Sequence, residues 1–294
     1  MHHLPIIPTG FKSIEVQRDV ISSHLLDSII LGVQAHHKDG MDRLNKAIEL
    51  HNSALRQQLP KDGFINLWSA LEVLCPQENQ ASKLDSILYA ALPILQNDYF
   101  VTVFESIFHD LKDNLLEQDF INLMSKIELT DNVEKIAAFC LLPAYEQLRE
   151  DYFKLLEDMP LIRHKIYSLY IMRENKKSLF DLSIRYCLRV KWHLYRLYRA
   201  RNAIIHSGAK PQQIQILGEH LHSYLDSIML EIAVKLAAYP SLPNIHSIFV
   251  DTNFLVNSKK ACFSTNDAVT LDDIKTLHSQ TFYKYEAEQS PKKQ

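Results

Sequence analysis

This sequence contains little glycine, no closely spaced cysteines and no long uninterrupted apolar runs. There are six glycines in 294 residues, fewer than β-rich folds with many tight turns need, so the composition favours helices. No window approaches the roughly 18 consecutive apolar residues of a membrane span, and we expect no membrane partner. The scattered cysteines argue against a zinc or disulfide framework and favour a reducing cytoplasm: Cys75, Cys140, Cys187 and Cys262.

Common catalytic loops are also missing. The sequence has no glycine-rich phosphate loop and no Gly-x-Ser-x-Gly elbow. IFVDTNFLVN, residues 248–257, resembles the first strand of PIN-type nucleases, in which a leading Asp, here Asp251, binds a metal. Only 37 residues follow Asn257, too few for the remaining acidic residues of that fold. His220 and His222 are two residues apart on a predicted helix and face different ways, a poor metal site. We therefore expect no metal and no cofactor.

Positive charge is concentrated in one part of the chain. The overall net charge is −3, with 47% apolar and 23% charged residues, as in an ordinary soluble protein. Between Asp181 and Lys210, however, seven Lys or Arg residues accompany a single acid, a local excess of +6. Such a basic segment in a mildly acidic chain indicates a polyanion as partner.

The same segment predicts one long helix, from Asp181 to Gly208. It contains no internal Gly or Pro, and Gly208 is a typical C-terminal stop because glycine adopts the left-handed conformation easily. Arg201 falls within the apolar stripe, where a guanidinium is costly unless an anion meets it. His206 follows at the helix end. The rest of the apolar stripe is predicted to face the core or a partner: Cys187, Val190, Leu194, Leu197, Tyr198 and Ile205.

Helical spacing extends over most of the remaining chain. Met41–Gln58 reads as a helix ended by Pro60, and Asp62 is expected to cap the next one. Three prolines and two helix-start signals divide the middle of the chain into further helices: Pro93, Pro143 and Pro160, with Ser82–Asp85 and Thr130–Glu134. The predicted organisation is an N-terminal segment, one helical domain with a helical insertion, and a C-terminal tail: residues 1–38, 39–240 (insertion 77–177) and 241–294.

Three blocks of sequence resemble a known family. They are RNAIIH (201–206), AIELHNSAL (47–55) and GFINLWSALEVL (63–74). Their order and separation resemble the ApeA-like branch of the HEPN superfamily, found in bacterial defence systems. The resemblance implies an all-α HEPN-type bundle with a helical insertion between the first and second helix pairs. It also implies a homodimer in which two long helices bring both motifs to one cleft.

The resemblance further implies a metal-independent endoribonuclease acting in antiviral defence, abortive infection or toxin-like growth arrest. Arg201 and His206 would be catalytic, with Asn202 in support, and the RNA's 2′-hydroxyl would be the nucleophile. Histidine titrates near neutral pH and can transfer the protons, while arginine stabilises phosphoryl charge. The products would carry 2′,3′-cyclic phosphate and 5′-hydroxyl ends. An alternative is an ion-paired Arg201 with His206 merely capping the helix.

Other residues allow two interpretations each. Glu72 is either the partner of Arg201 or a plain surface carboxylate, and His51 is more readily a core histidine than a catalytic one. Trp192 and Tyr195 lie close enough to basic residues to stack on RNA bases. Four arginines on the opposite face of the helix either follow an RNA backbone or form a solvated face: Arg185, Arg189, Arg196 and Arg199.

Two further hypotheses remain open at the level of the whole protein. The first is a non-catalytic HEPN module that binds nucleotide or RNA, or serves only dimerisation. The second is a regulatory partner held inactive in a complex with an inhibitor or sensor. Cleavage of RNA in excess chelator distinguishes an enzyme from either.

Overall fold

The computed structural model is all-α, as predicted. It describes residues 38–75, 82–209, 211, 213–238 and 244–278, which form eleven α-helices, one short 3₁₀ turn and no strand. The predicted N-terminal segment, 1–38, lies outside the described residues except for its last position, as do residues 279–294 of the predicted tail. The helices in chain order are α1 (Lys38–Leu55), α2 (Pro60–Leu74), α3 (Lys83–Asn114), α4 (Glu117–Ser125), α5 (Asn132–Leu141), α6 (Glu146–Leu155), α7 (Pro160–Tyr170), α8 (Lys176–Ser207), α9 (Ile214–Ala238), α10 (Ile245–Cys262) and α11 (Leu271–His278), with the 3₁₀ turn at Pro143–Tyr145 before α6.

The chain divides into two compact units. The first unit comprises Asp98–Ser183 and the described residues from 257 onward, and the second comprises the described residues of 38–97 and 184–256. The divisions fall inside α3, α8 and α10. The predicted single domain over 39–240 with an insertion at 77–177 stays a prediction.

The second unit has an apolar core built from α1, α2, α9 and parts of α3, α8 and α10. Each helix contributes one apolar stripe, which is how amphipathic helices bury their surface. The aromatic anchor is Trp68, 1% exposed, whose ring centroid lies 5.7 Å from that of Tyr198 on α8. Other fully buried members of this core are Leu44, Ala47, Leu71, Leu194, Leu197, Leu221, Leu225, Ile228 and Phe249.

The boundaries of α1 and α2 differ from the prediction. α1 ends at Leu55 rather than Gln58, and Pro60 opens α2 as its first residue instead of only ending α1. Proline suits this position because the first helical N–H groups have no partner inside the helix. Leu59 occupies the N-cap without a side-chain hydrogen bond, so the prediction that Asp62 caps α2 was wrong. Asp62 lies in the first turn, where its negative charge interacts favourably with the positive end of the helix dipole.

Side-chain caps predicted further along the chain are present. Ser82 Oγ accepts a hydrogen bond from the Asp85 backbone N–H at 3.1 Å. Asp131 caps α5, accepting from the N–H groups of Val133 and Glu134 at 2.8 Å each. Pro93 does not divide two helices as expected but lies inside α3.

α3 is a long and largely apolar helix of 32 residues. An 18-residue window within Lys83–Asn114 has a mean hydropathy of 1.3, long and apolar enough to cross a membrane by composition alone. However, 61% of that window is buried inside the protein, as in the core helices of soluble proteins.

The predicted C-terminal tail, 241–294, contains two helices, α10 and α11. The segment that resembles a PIN-type strand is part of α10, so Asp251 lies on a helix. Asp251 Oδ2 accepts a hydrogen bond from Lys235 Nζ at 2.5 Å, and Thr252 Oγ1 accepts one at 2.7 Å. Lys235 is fully buried on α9, so this polar cluster joins α9 to α10 and has a structural role.

The first unit contains a buried arginine beside a surface cleft. Arg149, only 2% exposed, donates through Nη1 to the carbonyl oxygens of Phe139 and Leu142 at the end of α5. Its guanidinium lies 4.0 Å from the ring centroid of Tyr170, on α7. Residues of α6 and α7 line the adjoining cleft, of about 600 Å³. Arginines and glutamates both occur there, so the cleft selects no single charge of ligand.

Candidate functional site

The basic helix α8 begins five residues earlier than predicted. It starts after Asn175, whose Oδ1 accepts a hydrogen bond from the Ser178 N–H at 2.9 Å, and continues to Ser207. At 32 residues it is about 48 Å long. Of its predicted apolar stripe, Val190, Leu194 and Leu197 are buried, and Cys187 and Tyr198 are half-buried. Ile205 was expected to face the core or a partner and is 47% exposed.

Arg201 is half-buried and faces an acid on α2. Its Nη2 lies 3.8 Å from Glu72 Oε1, and the two side chains are 24% and 22% exposed. Its Nη1 donates to Asn202 Oδ1 at 3.1 Å. The Nε–H is buried and has no hydrogen-bond acceptor within the described part of the chain. The guanidinium is therefore held in place, yet each Nη carries two N–H donors and makes one of these contacts, which leaves donors for an anion.

Glu72 is itself positioned by the core. Trp68 lies one turn earlier on α2 and donates its indole N–H to Glu72 Oε1 at 2.8 Å. The spacing i, i+4 places both side chains on one face of the helix. Because a buried indole N–H needs an acceptor, the Trp68 side chain holds the carboxylate at the edge of the core. Glu72 is thus the partner of Arg201 and not an isolated surface carboxylate.

His206 lies in the last turn of α8 and is exposed. Gly208 follows with φ 60°, as the predicted glycine stop requires. The N–H of Gly208 donates to the Ile204 carbonyl at 3.1 Å, and that of Ala209 donates to the Ala203 carbonyl at 3.2 Å. These bonds satisfy helix-end carbonyls without the imidazole, so the structure does not require His206 as a cap.

Arg201 and His206 are separated by five positions on a helix that stays α-helical to Ser207. Five residues correspond to a rotation of about 140°, so the two side chains leave one helix in different directions. The last turn keeps its α-helical geometry and so does not bring the two side chains together. A single α8 therefore presents the arginine and the histidine to different sides.

The predicted RNA-contacting arginines do not form a uniform exposed stripe. Arg185, Arg196 and Arg199 are exposed, whereas Arg189 is half-buried with its Nε–H shielded from solvent. Arg196 donates to Gln213 Oε1 at 3.2 Å. Two apolar side chains share this exposed face of α8, Leu188 at 54% and Trp192 at 67% exposure. Arginines, one leucine and one tryptophan thus share this helix surface.

A polar cluster that the sequence did not reveal lies between α8 and α9. His193 Nδ1 is 3.0 Å from Tyr224 Oη, and His193 Nε2 is 3.4 Å from His220 Nδ1. Burial, followed by the charges of His220 and Arg196, lowers the pKa of His193 to about 4. Burial also raises the pKa of Tyr224 to about 12, opposed by Arg189. At neutral pH both groups are uncharged, and the cluster depends on a tertiary pairing with no sequence signal.

His51 and His222 form part of a second such cluster. His51 Nε2 lies 3.2 Å from Asp226 Oδ1, and His222 Nδ1 lies 3.2 Å from Asp226 Oδ2. The expectation that His220 and His222 face different ways is confirmed, because His220 contacts His193 and His222 contacts Asp226. His222 nevertheless has a histidine neighbour on α1, His51, whose ring centroid lies 4.6 Å away, and no spacing along the chain indicates this contact.

Comparison with known proteins adds no relative: no family model, no curated protein and no solved structure matches the chain.

Proposed function

We propose that the chain is a metal-independent endoribonuclease of the HEPN type, with Arg201 and His206 as its catalytic pair. The observation that carries this proposal is the state of Arg201. It is held by Glu72 and Asn202, is a quarter exposed, and has more Nη–H donors than these two contacts use. A guanidinium that is held in position and has free N–H donors can donate hydrogen bonds to the non-bridging oxygens of a phosphodiester.

The reaction would be attack of the RNA 2′-hydroxyl on the neighbouring phosphorus. The exposed His206 would transfer a proton, either from the 2′-hydroxyl or to the 5′-leaving oxygen. Arg201 would stabilise the charge that builds on the phosphoryl oxygens. The P–O5′ bond breaks as the P–O2′ bond forms, which leaves a 2′,3′-cyclic phosphate and a 5′-hydroxyl. No metal is required, because the nucleophile belongs to the substrate.

A homodimer is part of the proposal. In one chain the helix rotation separates Arg201 from His206, whereas two antiparallel or crossed copies of α8 can bring the arginine of one beside the histidine of the other. The exposed Ile205, next to His206, offers apolar surface for such a pairing. Arg185, Arg189, Arg196 and Arg199 would then contact the RNA backbone, with Trp192 available for base stacking.

The resemblance to the ApeA-like branch suggests the setting. We propose a cytoplasmic protein of antiviral defence or toxin-like growth arrest, kept in check by an inhibitor or sensor partner. This role rests on the sequence blocks at 47–55, 63–74 and 201–206 alone.

A non-catalytic module is the second candidate, favoured by the ion pair of Arg201 with Glu72. In that case the guanidinium serves the packing of α2 against α8, and the basic surface binds nucleotide or RNA without cleaving it.

The test is cleavage of total cellular RNA by the purified full chain in excess chelator. We expect fragments with 2′,3′-cyclic phosphate ends, and a loss of at least about 100-fold in rate with Arg201→Ala or His206→Ala. Arg56→Ala and His164→Ala replace exposed residues outside the site and should cleave as the wild type does. A wild-type protein that binds RNA but cuts none of it would establish the non-catalytic module instead.

A further inference from the structure

The cluster of His51, His222 and Asp226 has the composition of a metal site. Each side chain offers one ligand atom, and the three ligand atoms lie within 4.8 Å of one another. Two imidazole nitrogens with one carboxylate oxygen is a donor set that suits Zn²⁺ and neighbouring transition metals. It involves none of the residues proposed for RNA cleavage.

The helices that carry these side chains are fixed by the core of the second unit. His222 and Asp226 are four residues apart on α9 and so share one face of that helix. His51 comes from α1, which packs against the same face. Buried leucines and an alanine flank the three groups on both helices, so the donors do not have to be assembled from mobile loops: Leu44, Ala47, Leu221 and Leu225.

The distances fit a first coordination shell with a small adjustment. Around tetrahedral Zn²⁺, bonds of about 2.0–2.1 Å place neighbouring donors about 3.3 Å apart. His51 Nε2 lies 3.2 Å from Asp226 Oδ1, and His222 Nδ1 lies 3.2 Å from Asp226 Oδ2, so each imidazole contacts its own carboxylate oxygen. The two imidazole rings are 4.6 Å apart between centroids, and one ligand atom from each of the three residues lies within 4.8 Å of the other two, so the donors have to move closer by at most about 1.5 Å to share one ion.

One side of the cluster is open to solvent, so an ion can reach it. The side chains of His51 and His222 are 13% and 18% exposed, whereas that of Asp226 is 37% exposed. The imidazoles are therefore shielded and the carboxylate is open to solvent. Three protein ligands leave a fourth position, which water from the exposed side can fill.

We propose that His51, His222 and Asp226 bind one Zn²⁺ ion per chain and that this ion joins α1 to α9. Three ligands from two helices would stabilise the second unit, because the ion binds only when both helices are in place. The competing interpretation is a carboxylate that accepts hydrogen bonds from two imidazoles, with no affinity for metal. The two differ in a measurable way, since only the first predicts stoichiometric binding.

The experiment titrates metal-stripped full-length protein with Zn²⁺ by calorimetry, and with Co²⁺ by visible absorption. We expect one site per chain that depends on these three side chains, d–d bands typical of four- or five-coordinate Co²⁺, and a Tm that rises with Zn²⁺. His51→Ala, His222→Ala and Asp226→Asn should each weaken Zn²⁺ binding by more than about tenfold and reduce the rise in Tm. His220→Ala is the matched control, since that residue lies on the same helix but contacts His193.

Two other histidine pairs in the sequence can add to the Zn²⁺ binding that the titration measures. His2–His3 and His36–His37 are adjacent pairs that can bind Zn²⁺ without a folded site. All variants retain them, so their contribution cancels between variants. If an alanine variant fails to fold, His51→Gln and the wild-type Co²⁺ spectrum decide the question. Absence of stoichiometric Zn²⁺ binding, or binding unchanged by all three ligand substitutions, would overturn the proposal.

Discussion

Arg201 Nη2 stands 3.8 Å from Glu72 Oε1, close enough for electrostatic attraction but too far for a hydrogen bond. The same carboxylate oxygen already accepts a short hydrogen bond from Trp68, at 2.8 Å. Glu72 is therefore fixed by its own helix, and its attraction to Arg201 orients the guanidinium without saturating it. An incoming phosphate can bind the arginine without breaking a strong bond.

Replacement of this carboxylate by an amide separates a structural from a catalytic role. Glu72→Gln keeps an acceptor for the Trp68 indole and removes the charge. We expect the free energy of unfolding to fall by less than about 1 kcal/mol, because the ion pair is long and partly hydrated. RNA cleavage should slow by about tenfold or less, well below the effect of Arg201→Ala. Urea unfolding and cleavage rates measure the two effects.

Glu49→Gln provides the control for Glu72→Gln, since Glu49 forms an exposed ion pair with Lys46. It should leave stability and cleavage unchanged. A loss of 3 kcal/mol or more in Glu72→Gln would instead mean that the Arg201–Glu72 pair holds the fold together, and would favour the non-catalytic module.

Mixing of two inactive variants tests the composite site. If each cleft combines Arg201 of one chain with His206 of its partner, a heterodimer of Arg201→Ala and His206→Ala has one intact cleft and one empty of both groups. Random mixing of equal amounts should then restore about a quarter of wild-type activity. Each variant mixed with itself should remain inactive. No restoration after verified subunit exchange would mean that both groups act from the same chain.

Gly208 is expected to be the most sensitive position at the end of α8. Its φ of 60° is unfavourable for residues with a Cβ, whereas no atom within 4 Å obstructs one. Gly208→Ala should therefore lower the free energy of unfolding by about 1 kcal/mol through backbone strain alone. Gly218→Ala is the counterpart, because Gly218 lies inside α9 with open space around it and should stabilise the helix slightly. Equal effects of both changes in urea unfolding would contradict this account.

Prediction from the sequence succeeded for features that depend on neighbouring residues. Local rules predicted the all-α class, the caps at Ser82 and Asp131, and the glycine stop at 208, because each depends on residues within one turn. They failed where tertiary contacts decide. Pro93 stays inside a helix, and Asp251 lies on a helix that the PIN-like resemblance obscured.

In the candidate site, too, one contact could be predicted from the sequence and others could not. The pairing of Glu72 with Arg201 was among the predicted alternatives, since a guanidinium on an apolar face needs an anionic neighbour. The contacts of His193 with Tyr224 and of His51 with Asp226 join positions more than 30 residues apart in sequence. Only the packing of α8 and α1 against α9 brings them together, and no spacing along the chain indicates it.

Arg149 should be essential for the stability of the first unit. Its side chain satisfies two carbonyl oxygens at the end of α5, those of Phe139 and Leu142. Burial lowers the pKa of the guanidinium, which reflects the cost of placing it there. Arg149→Met retains the volume but leaves the carbonyls without this donor, and we expect a loss of about 2–4 kcal/mol. Arg163→Met, on the same cleft but half-exposed, should cost under about 1 kcal/mol in the same denaturant titration.

His193 should make stability depend on pH in the mildly acidic range. Its pKa falls from an ordinary value of 6.5 to about 4 in the folded protein, so between these values the unfolded chain binds a proton that the native state refuses. The contribution of His193 to the free energy of unfolding is largest above pH 6.5. It decreases as the pH falls toward 4 and decreases no further below that. His193→Gln removes the titrating group and should flatten the stability profile over this window by at most about 2 kcal/mol, given the partial exposure of the ring. Leu188→Gln replaces an exposed, non-titrating residue of the same helix and should leave the profile as it is. An unaltered slope in His193→Gln, measured by urea unfolding at several pH values, would show that His193 titrates normally in the native protein.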